Sequence, residues 1–460
     1  MLRSLDDTIA AISTPPGEGG IGIVRLSGKD AVPIARQLFR STSGRDISAA
    51  KGRVFHGHAA DEHGDVIDEV LVHVMRTPHS YTREDVVEIN CHGGAGPLGA
   101  VLEQALMRGA RLAQPGEFTQ RAFLNGRIDL VQAEAVIDRI QARTKAGLRA
   151  AAAAASGALS KAVNEIKGAL VDTLARIEAA VDFPDEDLPD LVDEGMRQRM
   201  VDARERMLQL LATAETGRLY REGAGIAIAG RPNVGKSSLF NALLRDARAI
   251  VSPQPGTTRD RIEELITLSG VAVRLTDTAG LRTTHDEIER LGVEIARQAL
   301  TNADIILFIV DASEPVTQED LRLADELRGL ERPVWLVLNK IDLVMQAVTP
   351  DSWREWLNGS SQISATTGAG LAELEKRLGA LLLGGAAMSP DQGLITRAHQ
   401  RDSLRRAASA LERLLDNFDA SPEFLSIDLR EAISALGEIT GETTPEDVLD
   451  RIFSSFCIGK

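Results

Sequence analysis

Gly225-Ile226-Ala227-Ile228-Ala229-Gly230 runs directly into Arg231-Pro232-Asn233-Val234-Gly235-Lys236-Ser237, and this stretch decides the fold of the region around it. The apolar run between two glycines reads as a buried strand, and SLFNALL (238–244) behind it reads as a helix. Between them, Gly230 to Ser237 satisfies G-x-x-x-x-G-K-S in the strand-to-helix context that the motif requires. Its glycines let backbone amides turn inward on a β-phosphate, Lys236 brings a point charge to β- and γ-oxygens, and the Ser237 hydroxyl suits Mg²⁺. Outward from this point, VRLTDTAG (273–280), IILFIVD (305–311) and WLVLN (335–339) alternate with helix-length segments, the pattern of a parallel sheet with crossover helices over 218–384.

The later strand ends carry matching chemistry. Asp277-Thr278-Ala279-Gly280 offers a carboxylate near Mg²⁺ and a glycine amide for a γ-phosphate. Asn339-Lys340-Ile341-Asp342 places an aspartate that can accept both N1–H and N2–H of guanine, a donor pair adenine lacks. Ser364-Ala365 fits the loop that backs the guanine O6, and Val234, Ser238 and Ser252 complete the expected GTP contacts. Gly256-Thr257-Thr258 supplies a threonine able to complete Mg²⁺ coordination. Leu281 follows Gly280 where small signalling GTPases carry a water-orienting glutamine, which leaves Arg282, Asp286, Glu287 and Glu289 as candidates for that role. Asn233 either shapes the turn with Pro232 or turns a carboxamide oxygen toward a monovalent cation.

Around this unit the texture changes. Residues 8–14, 20–26, 68–75 and 85–91 are Val- and Ile-rich runs cut by Gly and Pro, an α+β pattern; Arg25 and Glu88 lie near strand ends, where they could bind a pteridine-like or amino-acid ligand. Leu159, Val163, Ile166, Leu170, Leu174, Ile177 and Val181 form one helical stripe, broken by FPDEDLPD (183–190), and Leu404, Ala408, Leu411, Leu415 and Phe418 form another after the α/β unit. The expected organisation is an N-terminal α+β domain (1–118), a helical domain in two parts (119–217 and 385–460) and a P-loop domain (218–384) inserted between them.

Composition removes several classes. The 460 residues carry a net charge of −15, which excludes a general nucleic-acid coat and restricts any RNA contact to a local patch; the basic segment 397–413, with five arginines, is the best candidate. Two cysteines, Cys91 and Cys457, build neither a disulfide scaffold nor a zinc ribbon and fit a reducing cytosol, and the N-terminus reads as neither signal peptide nor membrane span, so a soluble cytoplasmic protein is expected. His56, His58 and His63 read as a polar surface turn rather than metal ligands. Cys457 and Lys460 stand in a terminal tetrad where disorder is the default.

TPPGEGGIGIVRLSG, PGEFTQRAFLNGRIDLVQAEA, DFPDED, GRPNVGKSSLFNAL, GTTRD, DTAGLR and ITGETTPEDVLDRIFSSFCIGK together resemble the tRNA uridine modification GTPase family called MnmE or TrmE, over essentially the whole chain. The resemblance implies a folate-binding and dimerising N-terminal domain and a homodimer. It also implies work with the flavoprotein MnmG, as a heterotetramer, to install an aminomethyl or carboxymethylaminomethyl group at C5 of wobble uridine in tRNA. The implied one-carbon donor is a reduced folate, 5-formyl- or 5,10-methylene-tetrahydrofolate, and the implied GTPase is K⁺-stimulated. Carried over by residue, the resemblance gives Asn233, Ser252, Gln254 and Thr257 to K⁺, Ser237 and Thr258 to Mg²⁺, and water activation to Glu289 beside Lys236. It gives Arg25, Glu88, Arg127 and Lys460 to folate and Cys457 to the modification chemistry. Arg127 and the SPQP loop depart from the family's usual residues. The rivals are a ribosome-assembly GTPase of the Era or Der type, which predicts a basic RNA-binding appendage, and a folate-dependent methyltransferase with a merely regulatory G domain.

Overall fold

The computed structural model describes residues 6–49, 53–182, 193–246, 263–277, 294, 297–344, 349–384 and 389–460. The chain divides into two compact units, Met1–Ile137 with Ala155–Ala203 and Arg406–Lys460, and Asp138–Ala154 with Arg204–Arg405.

In the first unit, alternating Val and Ile build a seven-stranded sheet from β1 (Ile9–Ile12), β2 (Gly19–Ser27), β3 (Phe39–Ser41), β4 (Arg53–Ala60), β5 (Val66–Met75), β6 (Val86–Gly93) and β7 (Arg111–Leu112), in the order β3-β4-β5-β6-β2-β1-β7. Only β1 and β7 pair in parallel. The two-residue period puts Val24, Leu26, Val72, Val74, Val87 and Ile89 into one core with Val32 and Leu38 of the helix Ala31–Leu38 and Val101 of the helix Ala95–Met107. It turns Arg25 to the opposite face, where register sets it between Ala11 of β1 and Glu88 of β6.

The expected discontinuous helical part is present. The stripe Leu159, Val163, Ile166, Leu170 and Ile177 of Ala158–Asp182 is buried, Leu174 and Val181 are half-buried, and this helix packs on Pro422–Thr440, whose Leu425, Leu429, Leu436 and Ile439 are buried. Helices from either side of the P-loop region therefore share a core. Residues 183–190 lie outside the described residues.

The second unit holds β8 (Ala224–Ala229), β9 (Glu263–Leu268), β10 (Val271–Asp277), β11 (Ile305–Asp311), β12 (Val334–Asn339) and β13 (Gly359–Gln362), ordered β13-β12-β11-β8-β10-β9 and parallel except for β9. Every residue of β11 and β12 is buried, as expected of strands covered on both faces. Ile226, Ile228, Leu307 and Ile309 join one core with Leu239 and Leu374, and Ala227, Ala229, Phe308 and Leu336 join the other with Leu327 and Trp353. From β8 the chain proceeds to β10 on one side and then to β11 on the other, so the sheet switches direction beside β8, where ligands of such sheets bind at the carboxyl ends.

Candidate functional site: a nucleotide loop and an aromatic pocket

β8 delivers the glycine-rich turn to that switch point, and the helix Lys236–Asp246 starts directly after it. The turn needs left-handed backbone at Asn233 (φ 65°) and Gly235 (φ 98°). At Gly235 a Cβ would lie 2.2 Å from Nδ2 of Asn339, so two loops approach each other there at a distance only glycine allows. Asn339 uses that contact: its Nδ2 donates to the Val234 carbonyl at 2.9 Å and its Oδ1 accepts from the Ala365 amide at 3.0 Å, bracing the phosphate turn and the Ser364-Ala365 loop from the end of β12. Lys236 Nζ donates to the carbonyls of Gly230 and Arg231, both at 2.7 Å, and the Arg231 side chain is held by Glu314 and Asp320.

Ser237 Oγ donates to Asp277 Oδ2 at 3.0 Å. A hydroxyl at a helix N-terminus and a carboxylate at the end of β10 are hard oxygen donors of the kind Mg²⁺ takes, so these residues fit that ion. Lys340, itself left-handed at φ 65°, donates from Nζ to Asp311 Oδ2 at 2.6 Å. Burial pushes the Asp311 carboxyl up, but the bonds from Lys340 and Ser313 outweigh it and hold the group below the ordinary carboxylate range. Asp342 is exposed in the turn Ile341–Leu343, Ser364 is fully buried, Ala365 is half-buried, and Asn233 and Ser238 are exposed. Ser252, Gln254, Thr257, Thr258, Thr278, Ala279, Gly280 and Glu289 lie outside the described residues, as do Arg282, Asp286 and Glu287.

The first unit carries the second constellation. Arg25 donates from Nε to Glu88 Oε1 at 2.9 Å, Nη2 lies 2.8 Å from the same oxygen, and Nη1 donates to the Gly459 carbonyl at 3.1 Å. Its guanidinium carbon sits 5.7 Å from the Tyr81 ring centre and 5.5 Å from that of Phe118, while Arg127 covers Tyr81 at 4.7 Å. Tyr81 is fixed by a 2.9 Å bond between its hydroxyl and Thr119 Oγ1.

Sequence reading missed Tyr81, Phe118 and the Gly459 carbonyl. The available signal was Tyr81, one of two tyrosines, standing in a polar loop rather than on an apolar face.

Behind the pocket, the buried Arg121 bonds Asp7, Glu84 and Glu117, tying the N-terminal segment and the Tyr81 loop to the helix Glu117–Leu124 that carries Phe118 and Thr119. The C-terminal tetrad is ordered by backbone contacts. Ile458 bridges Pro115, the Gly116 amide donates to the Cys457 carbonyl at 3.3 Å, and Gly459 (φ 89°) approaches Ile12 so closely that a Cβ would lie 2.4 Å from its carbonyl oxygen. Cys457 is exposed and Lys460 half-buried.

Two expectations change. His56 and His58 stand on β4, and only His63 lies in a turn, because Phe55, Ala59 and Ala60 give the segment a buried face; among the described residues no group of three potential metal ligands forms. Three of the five arginines of Ala398–Asp416 and its approach are paired with carboxylates of other helices, Arg397 with Asp138, Arg406 with Glu438 and Arg413 with Asp428 and Glu431, while Arg401 and Arg405 meet only Asp402 of their own helix, so the free basic face is smaller than the sequence suggests. Burial, aided by Asp68, pushes the Cys91 thiol up to about 12, which makes it inert. Among the described residues no helix is long and apolar enough to cross a membrane.

The class these strand ends define is the P-loop GTPase, and the chain is a GTP hydrolase. Family models described as "MnmE helical domain" and "GTP-binding protein TrmE N-terminus" match residues 130–457 and 8–127. The chain is 47% identical over 466 residues to "tRNA modification GTPase MnmE" of Heliobacterium modesticaldum, covering 99% of each. It is 49% identical over 463 residues to the protein of that name from Chloroflexus aurantiacus, covering 99% of this chain and 100% of the other. Over 34% of this chain and 98% of its own, the G domain of the T. maritima FeoB iron transporter is similar at 30% identity with a TM-score of 0.27. The chain belongs to the MnmE family.

Proposed function

We propose that the chain couples GTP hydrolysis to modification of C5 of wobble uridine in tRNA, drawing the one-carbon unit from a reduced folate bound in the N-terminal pocket. The observation that carries this reading is Arg25, clasped by Glu88 between Tyr81 and Phe118 and bonded to the carbonyl of Gly459 in the terminal tetrad. A pterin is a flat ring with apolar faces and a hydrogen-bonding edge; aromatic and guanidinium faces suit the former, and the Glu88 carboxylate suits the N–H donors of the latter. Arg127 and Lys460 complete the proposed contacts, and the tail brings Cys457 to the same end of the sheet. The donor set fits the ligand, which supplies the carbon transferred.

In the G domain, Lys236 and the turn amides hold phosphoryl charge, and Asp342 reads guanine with Asn339, Ser364 and Ala365 supporting its loop. Ser237 and Asp277, with Thr258, would hold Mg²⁺, which neutralises charge on the phosphates. Asn233, with Ser252, Gln254 and Thr257, would hold K⁺ and draw two G domains together. Glu289 acts on the attacking water. The working form is a cytoplasmic homodimer that joins MnmG in a heterotetramer, with domains at 1–118, 119–217 plus 385–460, and 218–384. Full-length identity to tRNA modification GTPases favours this over the Era or Der reading.

The test is reconstitution with MnmG, tRNA, GTP, 5,10-methylene-tetrahydrofolate and an amine, ammonium for the aminomethyl or glycine for the carboxymethylaminomethyl group, reading wobble uridine by mass spectrometry. Modification is expected in K⁺ and lost in Glu289→Ala, with 5-formyltetrahydrofolate binding intact. Unmodified uridine with the wild type sinks the reading; full modification by the variant sinks the coupling.

A further inference from the structure

Arg83 sits two residues from Tyr81 in left-handed backbone, φ 60°, a conformation that glycine or asparagine adopts at far less cost than a long side chain. It is held there by Thr77, whose Oγ1 donates to the Arg83 carbonyl at 2.6 Å. The exposed guanidinium donates from Nη1 to the Asn125 carbonyl at 2.9 Å and lies 3.6 Å from where a Cβ of Gly126 would stand, so it borders the turn that carries Arg127. Among the described residues neither Arg83 nor Arg127 makes an ion pair. The nearby carboxylates are engaged elsewhere: Glu84 with Ser27 and Arg121, Asp85 with Arg76, Glu88 with Arg25. In a chain of net charge −15, Arg83 at the turn that carries Arg127, and Arg127 over Tyr81, put two guanidinium groups without ion-pair partners at the edge of the aromatic pocket, where anions are favoured.

We infer that Arg83 and Arg127 form a subsite for the carboxylates of an oligo-γ-glutamyl tail, so that the pocket prefers pterins carrying several glutamates. The inference rests on the folate reading of the pocket and adds the identity of its physiological ligand form. Paired guanidinium groups favour carboxylates through forked hydrogen bonds, and a tail covalently continuous with a ring held over Tyr81 meets them without a second binding event. Phosphates of RNA share the negative charge but have no such tether.

The test is calorimetric titration of the full-length protein with monoglutamyl and triglutamyl 5-formyltetrahydrofolate at low and high salt, for wild type, Arg83→Gly and Arg25→Ala. Glycine keeps the left-handed backbone, so Arg83→Gly removes the charge without unfolding the loop, which an unchanged melting temperature verifies. Wild type is expected to bind the triglutamyl form about fivefold more tightly than the monoglutamyl form, a gain that shrinks in salt, and Arg83→Gly is expected to lose it. Equal wild-type affinities, or a gain that survives in Arg83→Gly, overturn the inference while leaving the pocket assignment standing. Loss of tRNA binding in Arg83→Gly with the glutamate gain retained overturns it in favour of an RNA contact. Absence of binding by either ligand to the wild type defeats the folate reading itself.

Discussion

Asn339→Ala removes the one side chain that spans the phosphate turn and the Ser364-Ala365 loop, and the cost follows from the two bonds it makes. The fully buried Val234 loses the donor to its carbonyl, and the half-buried Ala365 loses the acceptor of its amide, where water can partly substitute. An orphaned buried group costs about 1 to 3 kcal/mol, so the pair amounts to about 2 to 4 kcal/mol, or roughly 30- to 700-fold in the unfolding equilibrium of this unit. Trp335, Trp353 and Trp356 are all the tryptophans of the chain and all lie in the second unit, so urea denaturation followed by tryptophan fluorescence reports it alone. The substitution also clears the atom that a Cβ at Gly235 would strike at 2.2 Å. Gly235→Ala should therefore destabilise the wild type more than it destabilises the Asn339→Ala background, leaving only the left-handed strain in the second case. A loss under about 0.5 kcal/mol for Asn339→Ala without nucleotide, or strictly additive single and double variants, would show that the residue is not a strut between these loops.

Ser237→Ala and Asp277→Asn should each raise the Mg²⁺ concentration needed for half-maximal GTP hydrolysis, and an unchanged Mg²⁺ dependence would remove this pair from the metal site. Glu117 is pushed up by burial but held below the ordinary glutamate value by Arg111, the Gln114 amide and Arg121. Its contribution to stability is thus complete above its unfolded pKa and disappears as pH falls through the lower folded value. Acid titration of the first unit by hydrogen exchange should show that loss, and Glu117→Gln should flatten it; identical profiles would contradict the assignment. Thiol labelling of the native protein at pH 8 should modify Cys457 quickly and leave Cys91 untouched, since the latter is buried with its pKa pushed up to about 12; two fast thiols would refute the burial. Gly459→Ala should displace the C-terminal tetrad, because its Cβ meets backbone rather than a side chain able to move, and limited proteolysis should then trim the tail at least several-fold faster; unchanged trimming would mean the tail is not docked this way.

The candidate nucleotide site could be drawn from the sequence because its residues are local. Gly230 to Ser237 are consecutive, and Asp277 and Asn339 each end a strand whose apolar run announces it. The discontinuous helical core was legible from the stripe at Leu159 to Ile177, since burial of a helix face leaves a period in sequence. The pocket around Arg25 was legible only by half. Arg25 and Glu88 are cross-strand neighbours, but 63 residues separate them in sequence, and nothing in either strand announces that Tyr81 and Phe118 converge on the same guanidinium. The docked tail was hidden for the same reason: its anchors are backbone contacts at Pro115, Gly116 and Ile12, which leave no side-chain pattern to read. The arginines of Ala398–Asp416 misled because sequence shows charge without showing the carboxylates that meet it from other helices.

Equilibrium binding of 5-formyltetrahydrofolate to the wild type and to Arg25→Ala decides whether the N-terminal pocket is a folate site. Saturable binding is expected, weakened at least tenfold by the substitution, because among the described residues Arg25 alone joins Glu88, both aromatic rings and the Gly459 carbonyl. Wild-type protein that fails to bind at millimolar ligand, or binding that Arg25→Ala leaves intact, would contradict it.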